Sequence, residues 1–306
     1  MSNARSTYWD TVKAILIFLV VLGHTGTALG DRVLSVIYAF HMPLFVFVSG
    51  YFSKKKSLLE YWGGVKRLII IYLVFDILYI GLDVVLGESI SINRILTPSF
   101  ALWYILSLIY WRTLLQILPP RVLDQKWLVL ACSVLMALVA GFVPFGSQMS
   151  FQRAFTFLPF FVFGYYAKGS SAVEWLRGQN KPVMAMVFVG LCVVCYLWLP
   201  VFYANASYSK GFVDLIMRLL QLVVATIMCA ALLGVIPEKL GRFTEVGKWT
   251  LLIYLLHPPV VKLAKMGCSS VGIPMTPNIP VAFLISVITI LLIYSVRKFN
   301  VFKYIS

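Results

Sequence analysis

The sequence predicts an all-α polytopic membrane helical bundle with about ten transmembrane helices and both termini cytoplasmic. Three observations carry that prediction. Hydrophobic residues make up 61% of the chain and charged ones 12%, about half the charged share of a soluble domain, and mean hydropathy is +0.91. The apolar runs are long and continuous, as spanning helices require, rather than alternating as in barrel strands. The basic residues behind the net charge of +15 cluster between apolar runs, which suits orientation by positive loops and argues against a nucleic-acid partner.

Ten spans are expected in order, at 9–29, 33–52, 67–86, 100–118, 127–143, 153–167, 183–200, 213–236, 249–265 and 280–296. The sixth and ninth are short and are read as tilted or broken. In the ninth, His257-Pro258-Pro259 interrupts the run, since proline removes a helix donor and disfavours helix in the residue before it. Alternate connections, with the tails, hold 17 Lys and Arg: Arg5, Lys54, Lys55, Lys56, Lys66, Arg67, Arg121, Lys126, Lys168, Arg177, Lys181, Lys239, Arg242, Lys248, Arg297, Lys298 and Lys303. The opposite connections hold 5, namely Arg32, Arg94, Lys210, Lys262 and Lys265. The excess puts both termini inside.

The first run starts with acid and base and has no small-residue cleavage site after it, so no cleavable signal peptide is expected. No hydrophilic stretch suits a second domain, and residues 1–306 read as a single integral-membrane domain without repeats. The five cysteines are odd in number; four lie in apolar runs and Cys268 reads as loop-borne. Neither a disulfide nor a metal site is expected.

Lys13 and His24 share the first apolar run. Eleven positions separate them, close to three helical turns, so both point the same way roughly 16 Å apart along the axis. Ionisable groups inside a span are costly unless they face protein or water. One face thus carries a cation near the cytoplasmic surface and an imidazole in the outer half of the bilayer, an arrangement suited to a long, anionic thioester. Asp10, at i−3 from Lys13, also fits simple neutralisation of that cation, and the two readings coexist.

His41 falls in the outer half of the second span, with structural and catalytic roles both open. Arg153 opens the sixth span from the outside. Asp214 and Arg218, one turn apart, suit internal pairing. His257, before two prolines, reads as a structural or orienting polar partner at a helix break. Trp103, Tyr104 and Trp111 read as interfacial or packing aromatics, and Trp103 and Tyr104 are also candidates for holding an acceptor with Arg153. Lys66 and Arg67 form a cytoplasmic basic zone with Lys13. Gly26-x-x-x-Gly30 matches a small-residue packing motif at chance level. Asp76, Asp83 and Arg112 are further intramembrane charges without a clear place.

Histidine is a plausible base near neutral pH, with an unperturbed pKa of about 6.5. A deep base behind a basic entrance suits group transfer from an anionic donor inside to an acceptor outside. A proton-coupled transporter or flippase for a glycolipid or sugar is the alternative, with His, Asp and Arg as a relay. Such transporters often carry internal repeats, and none is detected.

At these residues the chain resembles the acyltransferase family 3 membrane proteins, particularly the fucose 4-O-acetylase-like branch. That family's first span carries an acid, then Arg or Lys, then ten residues and His, matched here by Asp10, Lys13 and His24. Its second-span motif is matched by Phe40-His41-Met42-Pro43-Leu44-Phe45-Val46-Phe47-Val48-Ser49-Gly50-Tyr51. Weaker echoes are Leu102-Trp103-Tyr104, Leu158-Pro159-Phe160-Phe161 and Gly247-Lys248-Trp249-Thr250 through His257.

The resemblance implies acyl transfer, usually of acetyl, from cytoplasmic acetyl-CoA to a hydroxyl of a surface or exported carbohydrate or glycolipid. It also implies a multi-pass protein of the inner (cytoplasmic) membrane, in contact with lipid and without a metal. The chain departs from the family in having Lys13 for the commoner Arg, and Gly64-Val65-Lys66-Arg67 for a paired-Arg motif. The expected roles are His24 as general base or acyl carrier, His41 or Arg153 as oxyanion donor, and Lys13, Lys66 and Arg67 at the donor phosphates.

Overall fold

In the computed structural model, residues 6–89, 93, 96–144, 146–274 and 276–297 are described. Arg5, Arg94, Lys298 and Lys303, which entered the orientation argument, lie outside them. Each expected span holds a helix: α1 Thr7–Gly23, α2 Asp31–Tyr51, α3 Leu58–Val85, α4 Trp103–Ile117, α5 Lys126–Val139, α6 Phe151–Ala167, α7 Lys181–Leu197, α8 Phe212–Val235, α9 Thr250–Ser270 and α10 Ile279–Val296. There is no strand among the described residues. Among the described residues six stretches are long and apolar enough to cross a membrane: Asp31–Tyr51, Leu58–Val85, Phe100–Ile117, Phe212–Val235, Gly241–Ser270 and Ile279–Val296. The chain is thus an all-α polytopic membrane bundle.

Helix ends follow local chemistry. The side chains of Ser57, Asn180 and Asn278 accept from the N–H groups of Glu60, Val183 and Val281, capping α3, α7 and α10. Proline at the first turn of α7 and α10 occupies a position where its missing N–H is harmless. Arg32 Nη1 donates to the Leu197 carbonyl (2.7 Å) and the Tyr196 carbonyl (3.1 Å), covering the negative end of α7.

Several expectations change. The ninth span is not broken: α9 runs through Pro258 and Pro259. The His257 ring turns back onto the Ile253 carbonyl, and the Tyr254 carbonyl, whose helical donor Pro258 removes, is within its reach. The polar partner thus holds the helix together. Cys268 lies in α9, not in a loop. Gly26 and Gly30 adopt positive φ, +60° and +73°, and are turn residues rather than a packing motif. Asp214 accepts from the N–H groups of Ser209 and Lys210, both at 2.7 Å, and Arg218 donates to Thr156 Oγ1 (2.7 Å) and the Ala206 carbonyl (3.0 Å). Their i,i+4 spacing is therefore used to tie down the 204–210 loop. Asp76 accepts from the Ser99 N–H and hydroxyl, holding the entry to α4.

The chain divides into two compact units. The first comprises 1–45, 173–202 and 224–306. Here α1 packs on the 3-10 segment Gly241–Trp249 and on α9 and α10. Gly247 meets the Asp10 backbone, where an added Cβ would stand 1.9 Å from the Asp10 carbonyl oxygen. Tyr8 Oη donates to the Leu233 carbonyl (2.7 Å), and Thr11 Oγ1 reaches the Glu238 carbonyl and Thr244 Oγ1, each at 3.0 Å.

The second unit comprises 46–172 and 203–223. In it Gly50 and Gly164 form a close crossing of α2 and α6. A Cβ on Gly50 would lie 1.9 Å from Phe161 O, and one on Gly164 2.0 Å from Phe47 O. The Ser49 hydroxyl bonds the Tyr104 phenol, and Trp111 Nε1 donates to the Ala154 carbonyl (2.8 Å) while its ring stacks on Phe161 at 5.6 Å.

The close crossing and the open faces of α3 predict opposite outcomes for one substitution. Gly50→Ala and Gly164→Ala force backbone apart and are expected to cost about 2 kcal/mol or more, seen as a lower midpoint in thermal unfolding of the detergent-solubilised protein. Gly63→Ala and Gly81→Ala, which meet nothing within 4 Å, are expected to leave the midpoint unchanged or raise it, by up to about 1 kcal/mol of helix propensity each.

Candidate functional site

The first helix places the site. Asp10 is buried, at 2% exposure, and Lys13 Nζ lies 2.7 Å from its Oδ1. The neutralising pair expected from the i,i+3 spacing is therefore formed, with the Lys13 side chain still 24% exposed. Two further cation contacts hold this end: Arg177 bonds Glu238 and lies over the Tyr8 ring at 4.2 Å.

At its other end α1 stops at Gly23, earlier than the expected span, and His24 is the C-cap residue with helical φ/ψ. Thr25 Oγ1 donates to the Leu22 carbonyl (2.7 Å) and Gly26 at φ +60° turns the chain. The imidazole therefore stands at the negative end of the helix dipole, which stabilises positive charge gained in a proton transfer. Helical geometry holds from Lys13 to His24, so the axial separation of roughly 16 Å stands.

α9 runs beside α1 in the same direction. Gly247, just before α9, meets Asp10; a Cβ on Gly26 would sit 3.7 Å from Lys265 Nζ; and between them the rings of His24 and His257 lie 4.8 Å apart, edge to face at 61°. His257 is fully buried. Its Nδ1 lies 3.0 Å from the Ile253 carbonyl; because a carbonyl only accepts, Nδ1 carries the hydrogen. Its Nε2 is buried without a hydrogen-bond partner among the described residues.

His41, on α2, repeats the arrangement. Its Nδ1 donates to the Ile37 carbonyl at 2.7 Å, its ring packs on Tyr38 at 5.2 Å, and it is near enough to His24 for their charges to interact. The three histidines of the chain thus gather in the first unit. Sequence reasoning had linked His24 to His41; the contact of His24 with His257 lay hidden, since 233 residues separate the pair.

The other candidates lie in the second unit. Arg153 Cζ stands 5.3 Å over the Trp103 ring, Trp103 stacks on Phe157 at 5.5 Å, and the Tyr104 ring is 6.1 Å from Trp103. The expected trio of Arg153, Trp103 and Tyr104 is therefore one cluster, in which both aromatics are buried and Arg153 is half-buried. Lys66 and Arg67 are exposed on α3. Beside them an open cleft is lined by Lys54, Lys56, Glu60, Tyr61, Arg112 and Gln116, among others. The loop over it is fastened to α4: Gln116 accepts from Lys56 N–H (3.3 Å) and donates to its carbonyl (3.0 Å), and Lys55 Nζ donates to the Leu118 carbonyl. This gives Arg112, unplaced from sequence, a cationic neighbourhood. Among the described residues no group of three His, Cys, Asp or Glu side chains forms a metal-ligand set.

Chemically, the first unit offers an imidazole at a helix terminus with two more imidazoles close by, each of the latter fixed as an Nδ1–H tautomer. That is a set for moving a proton to and from a hydroxyl or a thiolate.

The profile of acyltransferase family 3, described as an acyltransferase domain, matches residues 6–298. A segment of 61 residues is 43% identical to nodulation protein NolL of Sinorhizobium fredii (strain NBRC 101917 / NGR234), covering 17% of this chain and 17% of that protein. No solved structure matches. With nearly its whole length matched, and every residue of the histidine site inside the match, the chain belongs to acyltransferase family 3, a family of membrane acyltransferases.

Proposed function

We propose that this protein is an O-acyltransferase of the cytoplasmic membrane that moves an acyl group, acetyl by default, from cytoplasmic acyl-CoA to a hydroxyl of a surface or exported carbohydrate or glycolipid. The observation that carries the reading is the His24 ring at the end of α1, against His257, in a chain of this family. His24 takes the proton of the acceptor hydroxyl as its oxygen attacks the thioester carbonyl. The carbon–oxygen bond forms, the carbon–sulfur bond breaks, and the leaving thiolate takes the proton from His24, giving the ester and free CoA.

Attack by the histidine itself on the thioester carbonyl, expelling the CoA thiolate to leave an acyl-imidazole that the acceptor hydroxyl then cleaves, leads to the same products. His41, whose Nδ1 hydrogen is committed to Ile37, offers Nε2 as an acceptor that aligns the incoming hydroxyl. As donor to the oxyanion it needs a second proton; Arg153 needs none, being always charged. Arg153, with Trp103 and Tyr104, is the proposed acceptor contact of the second unit. There Lys66 and Arg67, joined by the cleft cations Lys54, Lys56 and Arg112, are the proposed contacts for donor phosphates. Lys13 keeps a donor role beside its bond to Asp10, since part of its side chain stays exposed.

Radiolabelled acetyl-CoA added to membrane vesicles that expose the cytoplasmic face and contain host glycans tests the reaction. Label is expected in glycan with the wild type, and at least about 100-fold less with His24→Gln. Near-normal transfer by His24→Gln, or passage of unmodified glycan with no label incorporated, overturns the proposal.

Lys13 is tested separately. Lys13→Met leaves Asp10 buried without its cation and is expected to lower the unfolding midpoint; Lys13→Met with Asp10→Asn is expected to restore it. If Lys13 also contacts the donor, KM for acetyl-CoA stays raised in the double variant although the midpoint has recovered.

A further inference from the structure

We propose that His257 is the positioning residue of His24: its Nε2 accepts the second N–H of the His24 imidazolium as that charge forms. The proposal rests on the acyl-transfer reading of His24. Three observations lead to it. His257 Nδ1 is held as a donor by the Ile253 carbonyl at 3.0 Å, so Nε2 of the neutral ring is an acceptor only. That acceptor is fully buried and has no hydrogen-bond partner among the described residues, an uncommon state for a polar atom in a folded interior. The nearby ring is His24, with centroids 4.8 Å apart, edge to face.

Neutral His24 carries one hydrogen. When its bare nitrogen takes the proton of the attacking hydroxyl, both ring nitrogens become donors, and His257 Nε2 stands ready for the second. The hydrogen that His24 offers to His257 is the one the neutral ring already carries, and the bond strengthens as positive charge develops, which lowers the barrier more than it tightens ground-state binding. The proton on His257 Nδ1 stays where it is; His257 accepts a hydrogen bond, not a proton. A neutral imidazole suits this task in an apolar bundle, where a carboxylate in the same place would be a costly buried charge. Pro258 and Pro259, directly after it in α9, fix the backbone that carries the ring.

The test separates this role from a structural one through the two ring nitrogens. His257→Asn keeps an amide donor for the Ile253 carbonyl and removes the atom beyond it. His257→Gln places an amide oxygen near the position of Nε2. His257→Leu has neither. The first readout is the rate at which diethyl pyrocarbonate carbethoxylates His24 in the purified full-length protein, followed by peptide mass spectrometry. That reaction also builds positive charge on the His24 ring, and it needs neither donor nor acceptor substrate.

The expected result is a rate lower by about threefold or more in His257→Asn, and lower in His257→Leu than in His257→Gln by a similar factor. A ring that merely packed against His24 would, when lost, leave His24 equally or more reactive. Equal or faster reaction in His257→Asn therefore overturns the proposal. Should that variant not yield monodisperse protein, equal rates in the Gln and Leu variants do so instead.

The second readout is acetyl transfer in vesicles, where His257→Asn is expected to lower kcat about 10- to 100-fold, the worth of one hydrogen bond to a charged group, with KM for acetyl-CoA within about twofold. Unchanged kcat overturns the proposal. If wild-type vesicles transfer nothing, the acyl-transfer reading fails, and the carbethoxylation rates still decide whether the two histidines are paired.

Discussion

The contact on which the first unit depends is backbone on backbone: Gly247 against Asp10, with no room for a side chain between them. It fastens the beginning of α1 to the segment before α9, and the bonds of Tyr8 and Thr11 to residues 233–244 complete the clamp. A helix is stiff, so fixing its roll at one end fixes it at the other. Lys13 and His24 face one way because of the 3.6-residue turn, but the His24 ring meets α9 because of this clamp. The position of the His24 ring, three turns away, is thus set where α1 begins.

A second constraint is the accounting of polar groups in an apolar interior, where unsatisfied backbone groups are costly. His41 and His257 meet it the same way, each turning Nδ1 onto the carbonyl four residues earlier. His257 stands one residue before Pro258 and His41 two residues before Pro43, both inside continuous helices. In each, the bond onto the backbone carbonyl also fixes the tautomer, with Nε2 presented outward from the bond. Local helix chemistry and the preparation of an acceptor nitrogen are one arrangement.

The fold class was legible because composition and run length are one-dimensional properties. The helices of the ten runs fall where hydropathy put them, and Asp10–Lys13 was readable because i,i+3 neighbours meet on any helix. What was not legible is what depends on a distant segment. The Pro258–Pro259 pair argued locally for a break, and burial of His257 with its back-bond overrode it. Asp214 and Arg218 have ideal spacing for each other, yet the 204–210 loop and Thr156 compete for them. Ser49-Gly50 could be recognised as part of a motif, whereas the reasons for it are Tyr104 and Phe161, more than fifty residues on. The same holds for the site: the Lys13–His24 register is periodic and visible, and the His24–His257 contact is neither.

The first unit is assembled from three separate stretches of chain, and this bears on how the protein is made. Helices enter the membrane in order of synthesis, so α1 brings Asp10, Lys13 and His24 into the bilayer long before Gly247 and His257 exist. During that interval the imidazole lacks His257, and the α1 face destined for α9 meets lipid or the insertion machinery. A ribosome stalled before α9 therefore leaves a bundle with most of its hydrophobic surface placed and its histidine pair absent. The histidine pair is therefore completed only when α9 has been made.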